Sequence, residues 1–308
     1  MGCCQGEFLS FIMNKQVDDF FQDSKGPITL PNGQRYFHLP ITPFDPTSNT
    51  KVSSVVCGEN HILVVSITGA LYAWGINEFC QLGIVSPEAN VLRSPIRIDL
   101  PFSRRVVRAA AGGMHSFAID IYDDVWTWGL NSRGQTGIDI SEDGHGMVIE
   151  TPRRVPTMCE GNPALAGSHV VDIACGEFHS VFLLQDGRVF TCGAYDSGQL
   201  GLGPVNTLIS VNKVHHPRIR TGIAVPLEVH FPFPSGGVER IIGIEADSRR
   251  SMAWTKSHLY VWGMGNVGEL GLGPVTEVFQ PTLIDLVGWK PIQVSCGGQH
   301  TLALFTEN

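Results

Sequence analysis

Gly176-Glu177-Phe178-His179-Ser180-Val181-Phe182, then Val189-Phe190-Thr191-Cys192-Gly193, then Gly198-Gln199-Leu200-Gly201-Leu202-Gly203 form one copy of a unit that recurs along the chain. The Gly-x-x-His stretch separates two apolar runs, and it returns at Gly58 to His61, Gly112 to His115 and Gly297 to His300. A divergent copy, Asp247-Ser248-Arg249-Arg250, fills the fourth place. The second half of the unit keeps step with the first. Trp74-Gly75, Trp128-Gly129 and Cys192-Gly193 each follow their histidine by thirteen positions, and Trp262-Gly263 follows Arg250 by twelve. Seven positions further on stand Gln81-Leu82-Gly83, Gln135-Thr136-Gly137, Gln199-Leu200-Gly201 and Glu269-Leu270-Gly271. Agreement at that spacing in four places establishes an internal repeat.

Each unit reads as four short strands. Two apolar strands flank the Gly-x-x-His turn, a third ends at Trp-Gly, and a Gly-rich loop leads to a fourth, as near Pro95 to Ile98. Asp186-Gly187 supplies the hairpin between the second and third strands of the third unit. The 35 glycines suit such a chain, because tight turns repeatedly demand φ > 0. A sheet that is apolar on both faces cannot bury itself, whereas radial stacking buries every face, so the fold class expected is an all-β propeller of four-stranded blades.

The Gly-x-x-His turns, the Trp-Gly strand ends and the run Gly198 to Gly203 resemble the regulator of chromosome condensation family of β-propellers, over roughly residues 50 to 308. The resemblance implies seven blades, but four complete units and one partial one can be counted. The last unit reaches Asn308 before its Trp-Gly strand. Asn32-Gly33-Gln34-Arg35-Tyr36-Phe37-His38 resembles Asp186 to Cys192, and Leu39-Pro40-Ile41 reads as a fourth strand. Residues 28–42 are therefore expected to complete a composite blade, giving about five blades. The domain division that follows is an extension over 1–27 and a propeller over 28–308.

Composition narrows the function. Hydrophobic residues make up 43% of the chain and charged residues 16%, which suits a buried core. The formal net charge is −8 with no long basic run, so direct DNA binding is not expected. No apolar run approaches a membrane span, and Glu7 precedes the short apolar stretch Phe8 to Met13, which reads as no secretory signal and an intracellular protein. Cys57, Cys175 and Cys296 hold equivalent repeat positions and are expected as reduced core residues in separate blades. Gly2, Cys3 and Cys4 are candidate lipidation sites, and membrane association is expected only through them.

A catalytic centre is a single asymmetric place, so residues found in every blade are assigned to the blade. Gly58, His61, Trp74, Gly75, Gly112, His115, Trp128, Gly129, Gly176, His179, Gly193, Trp262, Gly263, Gly297 and His300 are read as structural, with the histidines bonding turn backbone. Binding candidates lie where the repeat breaks: Arg249 and Arg250 in the fourth unit, Asp143 and His145 in the loop from Asp139, and His215, His216, Arg218 and Arg220 in the loop from Pro204. No nucleophile with a positioned base and no zinc spacing is present, so no catalytic residue, metal or cofactor is expected. The function expected is a non-enzymatic scaffold presenting loops to another protein. The family resemblance implies an alternative, guanine-nucleotide exchange on a small Ran-like GTPase. The basic N-terminal tail of the family's founding member has no counterpart here: residues 1 to 26 carry Lys15 and Lys25 against Glu7, Asp18, Asp19 and Asp23.

Overall fold

The structure is a computed structural model that describes residues 28–29, 35–36, 51–86, 90–139, 146–159, 162–204, 222–234, 237 and 239–307. Apolar runs rich in β-branched and aromatic residues become strands, and the glycine-bearing segments between them become turns. Blade 1 comprises β3 (Val52–Cys57), β4 (His61–Ser66), β5 (Leu71–Ile76) and β6 (Val91–Ile98). Blade 2 comprises β7 (Val106–Ala111), β8 (His115–Asp120), β9 (Val125–Leu130) and β10 (Val148–Arg154). Blade 3 holds β11 (Val170–Cys175), β12 (His179–Leu184), β13 (Val189–Ala194) and β14 (Gly222–Val229). Blade 4 holds β15 (Gly243–Asp247), β16 (Arg250–Trp254), β17 (Leu259–Met264) and β18 (Glu277–Ile284). Each is an antiparallel meander in chain order, and a fifth sheet pairs β19 (Trp289–Gly297) with β20 (His300–Glu307). This is an all-β propeller of about five blades.

The first strands pack side by side around the axis, β3 on β7, β7 on β11, β11 on β15 and β15 on β19. The apolar faces of the blades meet between them. Leu63 and Val65 of blade 1 join Phe117, Trp128 and Phe182 in one continuous core, in which Phe117 meets Phe182 edge to face at 5.4 Å. Tyr260 and Trp262 close a second core with Val181 and Leu183, and Val294, Ala303 and Phe305 seat the fifth sheet on Met252 and Val261. Cys57, Cys175 and Cys296 lie in separate blades as free thiols.

One expectation changes. Trp128 and Trp262 are fully buried, but Trp74 is only half-buried. The reason is the stacking order. Trp128 Nε1 donates to Gln81 O of blade 1 (2.8 Å) and Trp262 Nε1 to Gln199 O of blade 3 (2.9 Å), so each indole fills the seam with the preceding blade. Blade 1 is the first complete blade of the described chain. Ile28–Thr29 (β1) pairs with Arg35–Tyr36 (β2) as a hairpin, in a sheet separate from that of β19 and β20. Residues 30–34 and 37–42, which the composite blade also needs, lie outside the described residues.

Candidate functional site

In an antiparallel meander, the loops after the first and third strands emerge at one end of the propeller and the hairpins after the second strand at the other. The Gly-x-x-His turns and the Gly-Gln-Leu-Gly loops therefore share one end, called here the turn end.

Behind the turn end runs a relay of side chains that joins neighbouring blades. His61 Nε2 meets Ser116 Oγ of blade 2 at 2.8 Å, His115 Nε2 meets Ser180 Oγ of blade 3 at 2.8 Å, and His179 Nε2 meets Ser251 Oγ of blade 4 at 2.7 Å. Each hydroxyl donates back to the blade of the histidine it meets: Ser116 to Gln81 O of blade 1, Ser180 to Gln135 O of blade 2 and Ser251 to Gln199 O of blade 3, at 2.8, 2.7 and 2.9 Å. A serine has one hydroxyl hydrogen, so the imidazole must donate from Nε2 and carry its lone pair on Nδ1. The expectation of bonds to turn backbone changes: each of these three imidazoles bonds the hydroxyl of the next blade.

The glycine of the motif follows from this geometry. A Cβ on Gly176 would lie 2.1 Å from Cε1 of His179, and the same collision arises at Gly58, Gly112 and Gly297. The Trp-Gly glycine has a separate cause. Gly193 has φ +109°, and its Cβ would meet Phe178 O at 2.3 Å, the carbonyl to which Ala194 N donates. Both glycines hold the turn rigidly against its own sheet. In blade 3, Cys192 stands at the tryptophan position and its thiol bonds Gln135 O at 3.6 Å, while Val155 and Pro226 approach Gly137 where an indole would lie.

Burial drives His61 and His179 down from 6.5 to about 4, and His115, flanked by both, to about 3. They are neutral at pH 7. The thiols of Cys175 and Cys296 are raised to about 12 by burial, so neither is a nucleophile. Among the described residues, no group of three or more His, Cys, Asp or Glu is placed to hold a metal ion.

What reaches solvent in each turn is the residue before the histidine position. The residue before the histidine position is Asn60, Met114, Phe178, Arg249 and Gln299 in blades 1 to 5, and all five are partly or fully exposed. Glu59 and Glu177 add carboxylates from blades 1 and 3. The two candidate arginines separate. Arg249 is exposed and faces Glu177 at 3.5 Å. Arg250 is buried, and its guanidinium donates to Gly297 O, Gly298 O and His300 O of the fifth blade at 2.9 to 3.1 Å. It bonds backbone carbonyls of the next blade and pairs with Asp247 at 3.7 Å, so Arg250 belongs to the seam and not to the exposed surface. Asp143, His145, His215, His216, Arg218 and Arg220 lie outside the described residues, as do Gly2, Cys3 and Cys4. The strands flanking the first two groups, β9 and β10, and β13 and β14, open at the turn end.

Two features were missed from the sequence. The hydroxyl after the histidine position, at Ser116, Ser180, Ser251 and Thr301, was visible as a recurrent dipeptide. A charge clasp at the hairpin end of blade 2 was not: Arg104 bridges Asp120 and Asp124 while stacking 4.8 Å over Tyr122, and Arg154 takes the other oxygen of Asp124.

Residues 20–303 match the model of the RCC1-like domain family. The guanine nucleotide exchange factor SRM1 of Saccharomyces cerevisiae is 31% identical over 309 residues, covering 96% of this chain and 57% of that protein. Protein pim1 of Schizosaccharomyces pombe is 30% identical over 261 residues, covering 82% and 45% respectively. The crystal structure of Prp20p from Saccharomyces cerevisiae superposes with a TM-score of 0.69 at 27% identity, covering 84% of this chain and 57% of that one. The chain thus spans about half the length of the curated relatives it matches. Among the described residues, no helix is long and apolar enough to cross a membrane.

Proposed function

The chain belongs to the RCC1-like domain family, and on that premise we propose that it is a binding module that holds another protein against its turn end, without covalent chemistry. One observation carries the reading. The repeated histidines beneath the turns of blades 1 to 3 are buried and bonded, while the five partly or fully exposed positions above the turns carry an amide, a thioether, a phenyl ring, a guanidinium and a second amide. A rigid ring presenting unlike side chains is what recognition of one asymmetric partner requires.

The partner favoured by the relatives is a small GTPase. Prp20p has binding properties toward Gsp1p and histones, and SRM1 is a guanine nucleotide exchange factor. Guanine-nucleotide exchange on such a GTPase is the second reading, supported by likeness to SRM1 over 96% of this chain. Exchange needs no reacting group. A protein that binds the nucleotide-free GTPase more tightly lowers nucleotide affinity by the same factor.

One experiment divides the readings. Purified chain is titrated into a Gsp1p-type GTPase loaded with a fluorescent nucleotide, and both complex formation and nucleotide release are followed. The binding reading expects a complex with unaccelerated release, and dose-dependent acceleration would establish exchange instead. No complex with either nucleotide-loaded or nucleotide-free GTPase would remove the GTPase as partner. Within a complex, Arg249→Ala should change stability by no more than about 0.5 kcal/mol, because the side chain is exposed and its pairing is loose. Its capture of the partner should fall strongly, and full-strength capture would take Arg249 out of the contact surface.

A further inference from the structure

We propose that the seams between blades 1 and 2, 2 and 3, and 3 and 4 are acid-operated latches, each opened by a proton on His61, His115 or His179.

The geometry makes the latch. Each imidazole already spends its Nε2 hydrogen on the serine of the next blade. The added proton must go on Nδ1, and that atom is buried without a hydrogen-bond partner in all three histidines. Protonation therefore creates a buried, unpaired cation beside the inter-blade joint. Among the described residues no carboxylate bonds these rings, and only at His179 does a backbone bond to Arg250 oppose the effect of burial. The ionisable neighbours are the other two imidazoles, the buried thiols of Cys175 and Cys192, and Glu245 with Asp172. The first of these repel the new charge. Glu245 is itself raised to about 7 by burial, so it is losing its negative charge over the same interval.

The sign follows from linkage. A histidine with its folded pKa depressed leaves stability intact above 6.5 and removes it as pH falls toward the folded value. Each latch then raises the unfolding constant about twentyfold between pH 7 and pH 5. Glu245 has the opposite sign, since its folded pKa is raised, and it offsets about fortyfold over that interval. The net rise is between about 100-fold and 1000-fold.

Opening is local as well as global, because three backbone bonds cross these seams beside the latches. Glu59 N donates to Gly112 O, Gly113 N to Gly176 O and Glu177 N to Ser248 O, at 3.2, 3.1 and 2.8 Å. These residues belong to the turn end, so acid also loosens the surface that holds a partner. That last consequence rests on the binding reading above, whereas the seam opening does not.

Hydrogen exchange of the full chain at pH 7 and pH 5, expressed as protection factors, tests the latch directly. The amides of Glu59, Gly113 and Glu177 are expected to lose more protection than those inside the sheets, such as Val181 and Val261. Equal loss throughout, or none, overturns the proposal. Urea unfolding across the same range supplies the second measurement. H115Q removes one titrating ring, and whatever its starting stability, its pH dependence should shrink by about twentyfold. An unchanged pH dependence would also overturn the latch. If the seam amides open and partner affinity is unaltered at pH 5, the latch stands and the turn-end reading falls.

Discussion

Trp128→Ala is expected to cost roughly 3–5 kcal/mol of folding free energy, and Trp74→Ala distinctly less. The two residues hold the same position of the repeat, so any difference between them measures the seam and not the residue type. Trp128 is fully buried between blades 1 and 2 and donates to Gln81 O, which also accepts from Ser116. Truncation leaves a cavity the size of an indole and withdraws one of the two donors on that carbonyl. Neither side can collapse easily, because Gly83 packs 3.1 Å from the indole nitrogen by its projected Cβ and the loop is held by its own bonds. Trp74 is half-buried, so water replaces much of what it loses. Urea denaturation of both variants checks the prediction. Equal losses would mean that the face of blade 1 bearing Trp74 is sealed as tightly as the internal seams.

That asymmetry marks where sequence reasoning reached its limit. Periodicity made the blade legible: strand ends, the Gly-x-x-His turn and the Gly-Gln-Leu-Gly loop recur at fixed spacing, and each falls where the sheets place it. The repeat also singled out the histidines as recurring residues of the blade. It did not tell what they bond, because His61 and Ser116 are 55 residues apart and meet only after radial stacking. Equivalent repeat positions need not be equally buried: Trp128 is sealed against Gln81 O of the preceding blade, while Trp74 is half-buried. The clasp of Arg104, Asp120, Asp124 and Arg154 occurs in one blade alone, so no repeat comparison could reveal it. Arg249 and Arg250 were read as a pair from adjacency. Arg249 sits in the turn and reaches solvent, whereas Arg250 opens β16 and enters the seam.

Arg250→His, the change that restores the repeat's own residue, is expected to destabilise the chain by about 3–5 kcal/mol. The fourth blade has altered two positions together. Where other units place glycine and histidine, it places Asp247 and Arg250, 3.7 Å apart as an ion pair, and the longer guanidinium reaches three carbonyls of the fifth blade. Histidine alone cannot reach those carbonyls. Nor can it fold back as His179 does, because Asp247 carries the Cβ that the imidazole excludes: at Gly176 that atom would lie 2.1 Å from the ring. Asp247 would also be left as a carboxylate without its partner. The double change Asp247→Gly with Arg250→His removes both obstacles at once. An imidazole at position 250 then meets Thr301, whose hydroxyl already donates to Glu269 O at 2.8 Å, as Ser251 donates to Gln199 O one seam earlier. Most of the lost stability should return, so the pair should be non-additive by more than about 2 kcal/mol. Asp247→Gly alone isolates the other arm and should also destabilise, by unpairing the buried arginine. If the double variant is as unstable as the sum of the singles, Asp247 and Arg250 are not a substitute for the Gly-x-x-His lock. The fourth seam would then be held by something other than the chemistry that joins the first three.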